Sequence, residues 1–287
     1  MTERSTSQRP SVRTIHRILV ALDASPHSRE ALELAVNLAA DLSAEVEGVF
    51  IEDATALRAA KLPFAQEVRS YQRGPQSLSD RRIERQMRRQ AERAEDMLWR
   101  HAEHADVPYS FRVLRGKVAE ELMAAAEASD LLALGKTSTA SSRRRLGSSA
   151  QAIVTKASTP VLVVRRVLRM PLPVLIYYDG SETADAALQL AVRLARRVPN
   201  LPLKVLLPDD AATDTEALRE RVLDLCADAT SLVQIRALTP LEASHLAPTA
   251  LKEDSGLVVL PAPVLDAQAS PVEQFLYELD TPVLVVR

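Results

Sequence analysis

The segment Gly135-Lys136-Thr137-Ser138-Thr139-Ala140-Ser141-Ser142-Arg143-Arg144-Arg145-Leu146-Gly147-Ser148-Ser149 begins and ends with glycine, is rich in hydroxyl side chains and leads into a helical pattern. Glycine lets backbone amides approach an anion closely. The free amides of a helix start carry partial positive charge and favour phosphate. Ser148 and Ser149 add hydroxyl donors, and Lys136 with Arg143–Arg145 adds positive charge. Taken alone, such a segment also reads as a Ser/Arg surface loop whose glycines only make turns. Gly135-Lys136-Thr137 is not a nucleotide-binding Walker loop, because the first glycine of that motif, five residues earlier, is missing. A second group, Asp23, follows an apolar run and precedes Ala24-Ser25-Pro26. It suits either a helix cap or an acceptor for a ribose hydroxyl or ring amine.

Other chemistry is poorly supplied. The only cysteine, Cys226, excludes an internal disulfide and any multi-cysteine metal site, and in its apolar helical pattern it reads as a buried small residue. His101 and His104 stand three apart with no further ligand at metal spacing. The helical stretch 80–104 carries Arg81, Arg82, Arg85, Arg88, Arg89 and Arg93, but also Glu84, Glu92 and Glu95, with Ile83, Met87, Ala91, Ala94 and Leu98 at core spacing. No aromatic residue interleaves among the arginines of 81–93 to stack bases, so it reads as a solvated outer face rather than a nucleic-acid surface.

These groups must be positioned by a repeated framework. Thr159–Arg165 and Thr281–Arg287 both read TPVLVVR, and residues 17–39 echo residues 173–195 in phase at Asp23/Asp179, Ser25/Ser181, Leu32/Leu188, Ala35/Ala191 and Leu38/Leu194. Two copies of one domain follow, at 15–168 and 171–287, after a disordered tail at 1–14 and with Pro171 and Pro173 in the linker. The second copy is 34 residues shorter between its matched ends. The weakly periodic stretch 53–80 is the expected insertion, a lid or a docking segment.

Within copy one, apolar runs at 17–22, 44–51, 108–114, 130–134 and 160–164 alternate with helical patterns. Copy two offers runs at 173–178, 201–207, 230–236, 256–260 and 282–286. Unbroken Val/Ile/Leu strands alternating with helices predict an α/β, doubly wound parallel sheet, made twice. Ligands on such sheets bind beyond the carboxyl ends of the strands, where strand order reverses. That places Asp23 and the Gly135–Ser149 loop together.

The chain has 287 residues, 47% hydrophobic and 26% charged, with a formal net charge of −2. This is ordinary globular composition, and it does not call for nucleic acid as a partner. Residues 1–14 lack the apolar core of a secretory signal, and no apolar run approaches a membrane span, so a cytoplasmic location with no membrane association is expected. Residues 1–170 hold 27 basic against 21 acidic residues, and 171–287 hold 9 against 17. A basic first copy suits an anionic ligand, and opposite charges draw the copies together.

Residues 17–25 (RILVALDAS), 115–122 (RGKVAEEL), 129–135 (SDLLALG), the loop from Gly135 to Gly147-Ser148, and 159–164 resemble the universal stress protein family. The resemblance covers most of copy one and the two ends of copy two, as in a tandem member. It implies two Rossmann-like five-stranded parallel sheets of order 3-2-1-4-5, and ATP, with or without Mg, as ligand. Asp23 would contact the ribose or adenine, and backbone near Phe50 would line the adenine pocket. Gly135, Ser138, Gly147, Ser148 and Ser149 would hold phosphates. Against the family loop Gly-x2-Gly-x9-Gly-Ser/Thr, Ser138 replaces the second glycine and the interval is one residue short.

In copy two, Pro261 answers Gly135, and Ala269-Ser270-Pro271 answers Gly147-Ser148, so copy two is expected not to bind. The resemblance admits at most slow ATP hydrolysis, and no catalytic residue is assigned. Family members dimerise through their last strands. The two TPVLVVR strands are therefore expected to pair as an intramolecular pseudo-dimer, open to further association as a homodimer. The alternative is a nucleotide-independent protein-interaction module with both sites decayed.

Overall fold

The computed structural model describes residues 15–60, 66–67, 76–77, 80–136, 147–165, 172–197, 201–210, 213–240, 242, 245–266, 275–276 and 278–287. Its N-terminal half runs β1 (Arg17–Ala21), α1 (Pro26–Leu42), β2 (Glu45–Asp53), α2 (Ala54–Ala60), β3 (Gln66–Glu67), β4 (Gln76–Ser77), α3 (Asp80–Ala105), β5 (Tyr109–Gly116), α4 (Val118–Ala126), β6 (Leu131–Gly135), α5 (Ser148–Lys156) and β7 (Val161–Val164). The C-terminal half continues with β8 (Val174–Tyr177), α6 (Glu182–Arg197), β9 (Leu203–Pro208), α7 (Thr215–Leu225), a 3-10 turn (Ala227–Leu232), β10 (Val233–Leu238), α8 (Leu246–Lys252), β11 (Leu257–Pro261), α9 (Ala262–Asp266) and β12 (Val283–Val286).

The sheet order is β10-β9-β8-β11-β12-β7-β6-β1-β2-β5. Each half repeats the doubly wound 3-2-1-4-5 order with parallel neighbours. The two five-stranded sheets are joined at their last strands, whose pairing the repeat led us to expect, so one ten-stranded sheet crosses both halves. It is continuous because β7 and β12 pair antiparallel, Val283 opposite Val163, Leu284 opposite Leu162 and Val285 opposite Val161. Every residue of both strands is buried, so leaving either as an edge would strand its polar backbone and expose its valines.

Strand alternation divides the core into two layers. Ile18, Val20, Leu162, Val164, Leu284 and Val286 face the layer of α1, α3, α6 and α7. Leu19, Leu132, Leu134, Val161, Val163 and Val283 face α4, α5, α8 and α9. Helix α1 starts on a reciprocal cap: the Ser25 hydroxyl accepts from the Ser28 amide and the Ser28 hydroxyl from the Ser25 amide, both at 3.1 Å. It buries Ala31, Leu32, Ala35, Val36 and Ala39 along one stripe.

Three expectations shift. The shortening of the second copy is not confined to the 53–80 stretch, since α3 has 26 residues and its counterpart α7 has 11. Both helices bury one stripe whatever their length, so periodicity alone does not locate the deletion. The strand expected at 230–236 begins at Val233, because the chain leaving α7 first winds the 3-10 turn and then pairs with β9. The 53–80 stretch contributes α2 and the small β3–β4 hairpin, and the rest of it lies outside the described residues. In α3, Met87, Ala91, Ala94 and Leu98 are buried while Arg85, Arg88, Arg89 and Arg93 are exposed. Cys226 is buried, as its pattern indicated.

Candidate functional site

A cavity of about 360 Å³ opens at the carboxyl ends of β1, β2 and β6, where β1 lies between strands reached by crossovers in opposite directions. Its apolar wall is built from Val49 and Ile51 of β2, Val118 and Leu122 of α4, Leu134 of β6 and Ile153 of α5. Its polar rim carries Asp23, Ser25, Ser28 and Asp53 on one side, and Gly147, Ser148 and Ser149 on the other. An apolar slot with a few convergent polar groups is the usual form of a small-molecule site.

The turn after β1 is made by Asp23. Its Oδ1 accepts from the Ser25 amide at 2.9 Å, and Ala24 adopts φ +57° to close the turn. Capping of α1 falls to Ser25 and not to Asp23. The carboxylate therefore serves the turn with one oxygen, and its other oxygen has no protein partner among the described residues.

Helix α5 begins at Ser148 with Gly147 at the N-cap and no side-chain cap. The first intrahelical bond runs from the Gln151 amide to the Gly147 carbonyl at 3.0 Å. The amides of Ser148, Ser149 and Ala150 precede that ladder and belong to residues that line the cavity. Gly147 has φ −59° and ψ 144°, values open to any residue, so its role there is not conformational.

Gly135 also lines the cavity, and a packing reason explains it. A Cβ at this position would stand 2.7 Å from the His27 carbonyl carbon and 2.8 Å from its oxygen, so glycine lets the end of β6 pass the first turn of α1. Lys136 does not supply charge to the cavity, contrary to the reading of the loop. It is 2% exposed and its Nζ donates to the Leu279 carbonyl at 2.5 Å. Burial pushes its ammonium down to about 8, helped by Arg165 and opposed by Asp280. Ser138 and Arg143–Arg145 lie outside the described residues.

The expectation named the backbone near Phe50 and not its side chain. Phe50 is buried in the opposite layer, under α1 and α3, and its neighbours Val49 and Ile51 line the cavity. Side chains alternate along β2, which turns Phe50 away from the cavity whatever the strand's length, and the strand continues to Asp53, two residues beyond the expected end. Asp53, beyond that end, was missed. It lines the cavity and its Oδ1 accepts from the Thr55 amide at 2.7 Å, starting α2. Its signal was the period of two: Asp53 continues the series Val49, Ile51 on the cavity side of β2.

The C-terminal half differs at the equivalent place. Tyr177 stands where the N-terminal half has Ala21, packed against the same side of the sheet. Burial, with Asp179 and Asp210 nearby, pushes its phenol up to about 12. Pro261 closes β11 where Gly135 closes β6, and 267–274 lie outside the described residues. Among the described residues no group of His, Cys, Asp and Glu could hold a metal ion, and no helix is long and apolar enough to cross a membrane.

The universal stress protein family model matches residues 14–165, just over half of the chain. A universal stress protein from Archaeoglobus fulgidus has a similar structure, with TM-score 0.70 at 17% identity over 94% of this chain and 97% of that one. A functionally unknown protein from Pseudomonas aeruginosa aligns with TM-score 0.55 at 15% identity, over 94% of this chain and 92% of its own. At these identities the two show a shared fold. A comparison with curated proteins finds no match. With the family match spanning both rims of the cavity, the chain belongs to the universal stress protein family.

Proposed function

We propose that the N-terminal half binds an adenine nucleotide, ATP with or without Mg, and that the protein acts in the cytoplasm in stress response through conformation or interaction. The observation that carries this reading is the uncapped N-terminus of α5, whose first residues line a cavity that also holds the Asp23 carboxylate. Asp23 receives a ribose hydroxyl or ring amine on its free oxygen. Val49 and Ile51, in place of Phe50, sandwich the base. Gly147, Ser148 and Ser149 take the phosphates, with Gly135 at the floor and Ser138 completing the loop.

Residues 15–168 form the binding domain and 171–287 a partner domain, in which the bulky Tyr177 stands at the position of Ala21, a residue that lines the N-terminal cavity. The β7–β12 pairing supports the reading of the molecule as a pseudo-dimer within one chain, open to homodimerisation. The second reading, a nucleotide-independent interaction module, draws on one fact: among the described residues, no lysine or arginine lines the cavity.

Calorimetry with ATP and AMP decides between them. Ser148→Pro is the informative variant, because proline suits the first helical position and removes one amide donor there. The nucleotide reading expects binding by the wild type and affinity at least about tenfold weaker in the variant. Negligible heat from both proteins with both nucleotides leaves the interaction module.

A further inference from the structure

We propose that Lys136 and Arg287 are positioning residues through which the C-terminal half sets nucleotide affinity in the N-terminal cavity, an inference that rests on the nucleotide reading above.

Both ends of the cavity's phosphate-facing segment are held by the other half of the chain. At one end, Gly135 lines the cavity and the next residue, Lys136, donates to the Leu279 carbonyl, which lies 143 residues away in sequence. At the other end, the Arg287 guanidinium donates to the carbonyls of Val154 at 2.6 Å and Thr155 at 2.7 Å in the last turn of α5. Arg287 thereby satisfies two carbonyls that the helix itself leaves open, and it places a cation at the negative end of the helix dipole. The positive end of that same dipole opens on the cavity.

Helix α5 has nine residues and spans about 13 Å, short enough to move as one body. A displacement at Val154 is therefore delivered at Ser148. Lys136 fixes the other boundary of the loop, so the two donors set the gap between Gly135 and α5.

A purely structural role would be served better by other residues. Holding the Lys136 ammonium in a site 2% exposed costs desolvation that an apolar side chain would avoid. Arg287 is exposed and adds little to the core, yet its guanidinium reaches back across the junction. The arrangement also gives the C-terminal half a use without a binding site of its own: it braces the half that binds. Linkage makes the effect reciprocal, so a nucleotide in the cavity tightens the junction by the factor with which the junction tightens the nucleotide.

The experiment is ATP calorimetry on the full chain as wild type, Arg287→Ala, Arg287→Lys and Lys136→Met, with hydrogen exchange measured on each with and without ATP. Arg287→Ala is expected to weaken ATP about tenfold and to speed exchange of the α5 amides before any ligand is added. Arg287→Lys keeps the cation and is expected to recover most of the affinity. In the wild type, ATP is expected to slow exchange across residues 279–287, far from the cavity. Wild-type affinity in Arg287→Ala, together with unchanged exchange at 279–287 on ATP addition, overturns the coupling and leaves the nucleotide site standing. No ATP heat from the wild type itself overturns the nucleotide reading and the coupling with it.

Discussion

Leu162 and Leu284 lie directly opposite each other where β7 and β12 pair antiparallel. They are also the same residue of the two TPVLVVR segments, so a local twofold axis passes between them and relates Val161 to Val283 and Val163 to Val285. Both leucines are 1% exposed and face the layer built by α1 and α6.

Truncation at this axis is predicted to be costly and coupled. Leu162→Ala and Leu284→Ala should each lose about 2–5 kcal/mol in urea unfolding, through lost burial and the cavity left behind. Because the two side chains are partners, the double variant should cost measurably less or more than the sum. Strict additivity would mean that the residues do not share one packing site.

Gly135→Ala tests whether this glycine serves packing. The added methyl meets the His27 backbone, which cannot rotate out of the way. Overpacking of this kind is expected to cost about 1–3 kcal/mol in ligand-free protein, read as a lower midpoint in thermal melting. A melt identical to wild type would return Gly135 to a role in ligand binding alone.

Ala21→Tyr transplants the C-terminal arrangement into the N-terminal cavity. Since Tyr177 is accommodated at the equivalent place, the variant is expected to fold while losing ATP binding by more than about tenfold in calorimetry. Retained affinity would show that the base does not sit against β1.

The pH dependence of stability carries a signature of Lys136. The folded chain releases this proton near pH 8 and the unfolded chain near the ordinary 10.5, so between those values the unfolded state binds more protons and stability rises with pH. Below pH 8 that contribution is lost. Cys226 acts the other way: burial pushes its thiol up to about 11 from 9, so its contribution is lost as pH rises through that window. The wild type should therefore gain stability from pH 8 to 9 and flatten above. In Lys136→Met the initial rise should be absent, as measured by urea midpoints across that range. Parallel profiles for the two proteins would refute the assignment.

Much of the fold was legible because its signals are local. Unbroken Val/Ile runs, the Ser25-Pro26 helix start and the recurring TPVLVVR each act over a few residues, and together they specify a doubly wound half made twice. That Asp23, Gly147, Ser148 and Ser149 come together around one cavity was legible for a related reason. The fold class alone says that loops after the first and fourth strands of such a sheet converge. What failed was finer than the element. Alternation along β2 puts Phe50 in the core and Val49, Ile51 and Asp53 at the cavity, and which face is which depends on the layer each helix covers.

The amino-acid sequence by itself determined the two halves, their parallel strands and the place where a ligand would meet them, because periodicity and turn chemistry are properties of neighbouring residues. Only the tertiary structure decided that Lys136 turns from the loop to the Leu279 carbonyl and that Arg287 closes the end of α5. Those contacts join residues more than a hundred positions apart. Their partners are backbone carbonyls, which every residue carries, so no side-chain pattern could announce them.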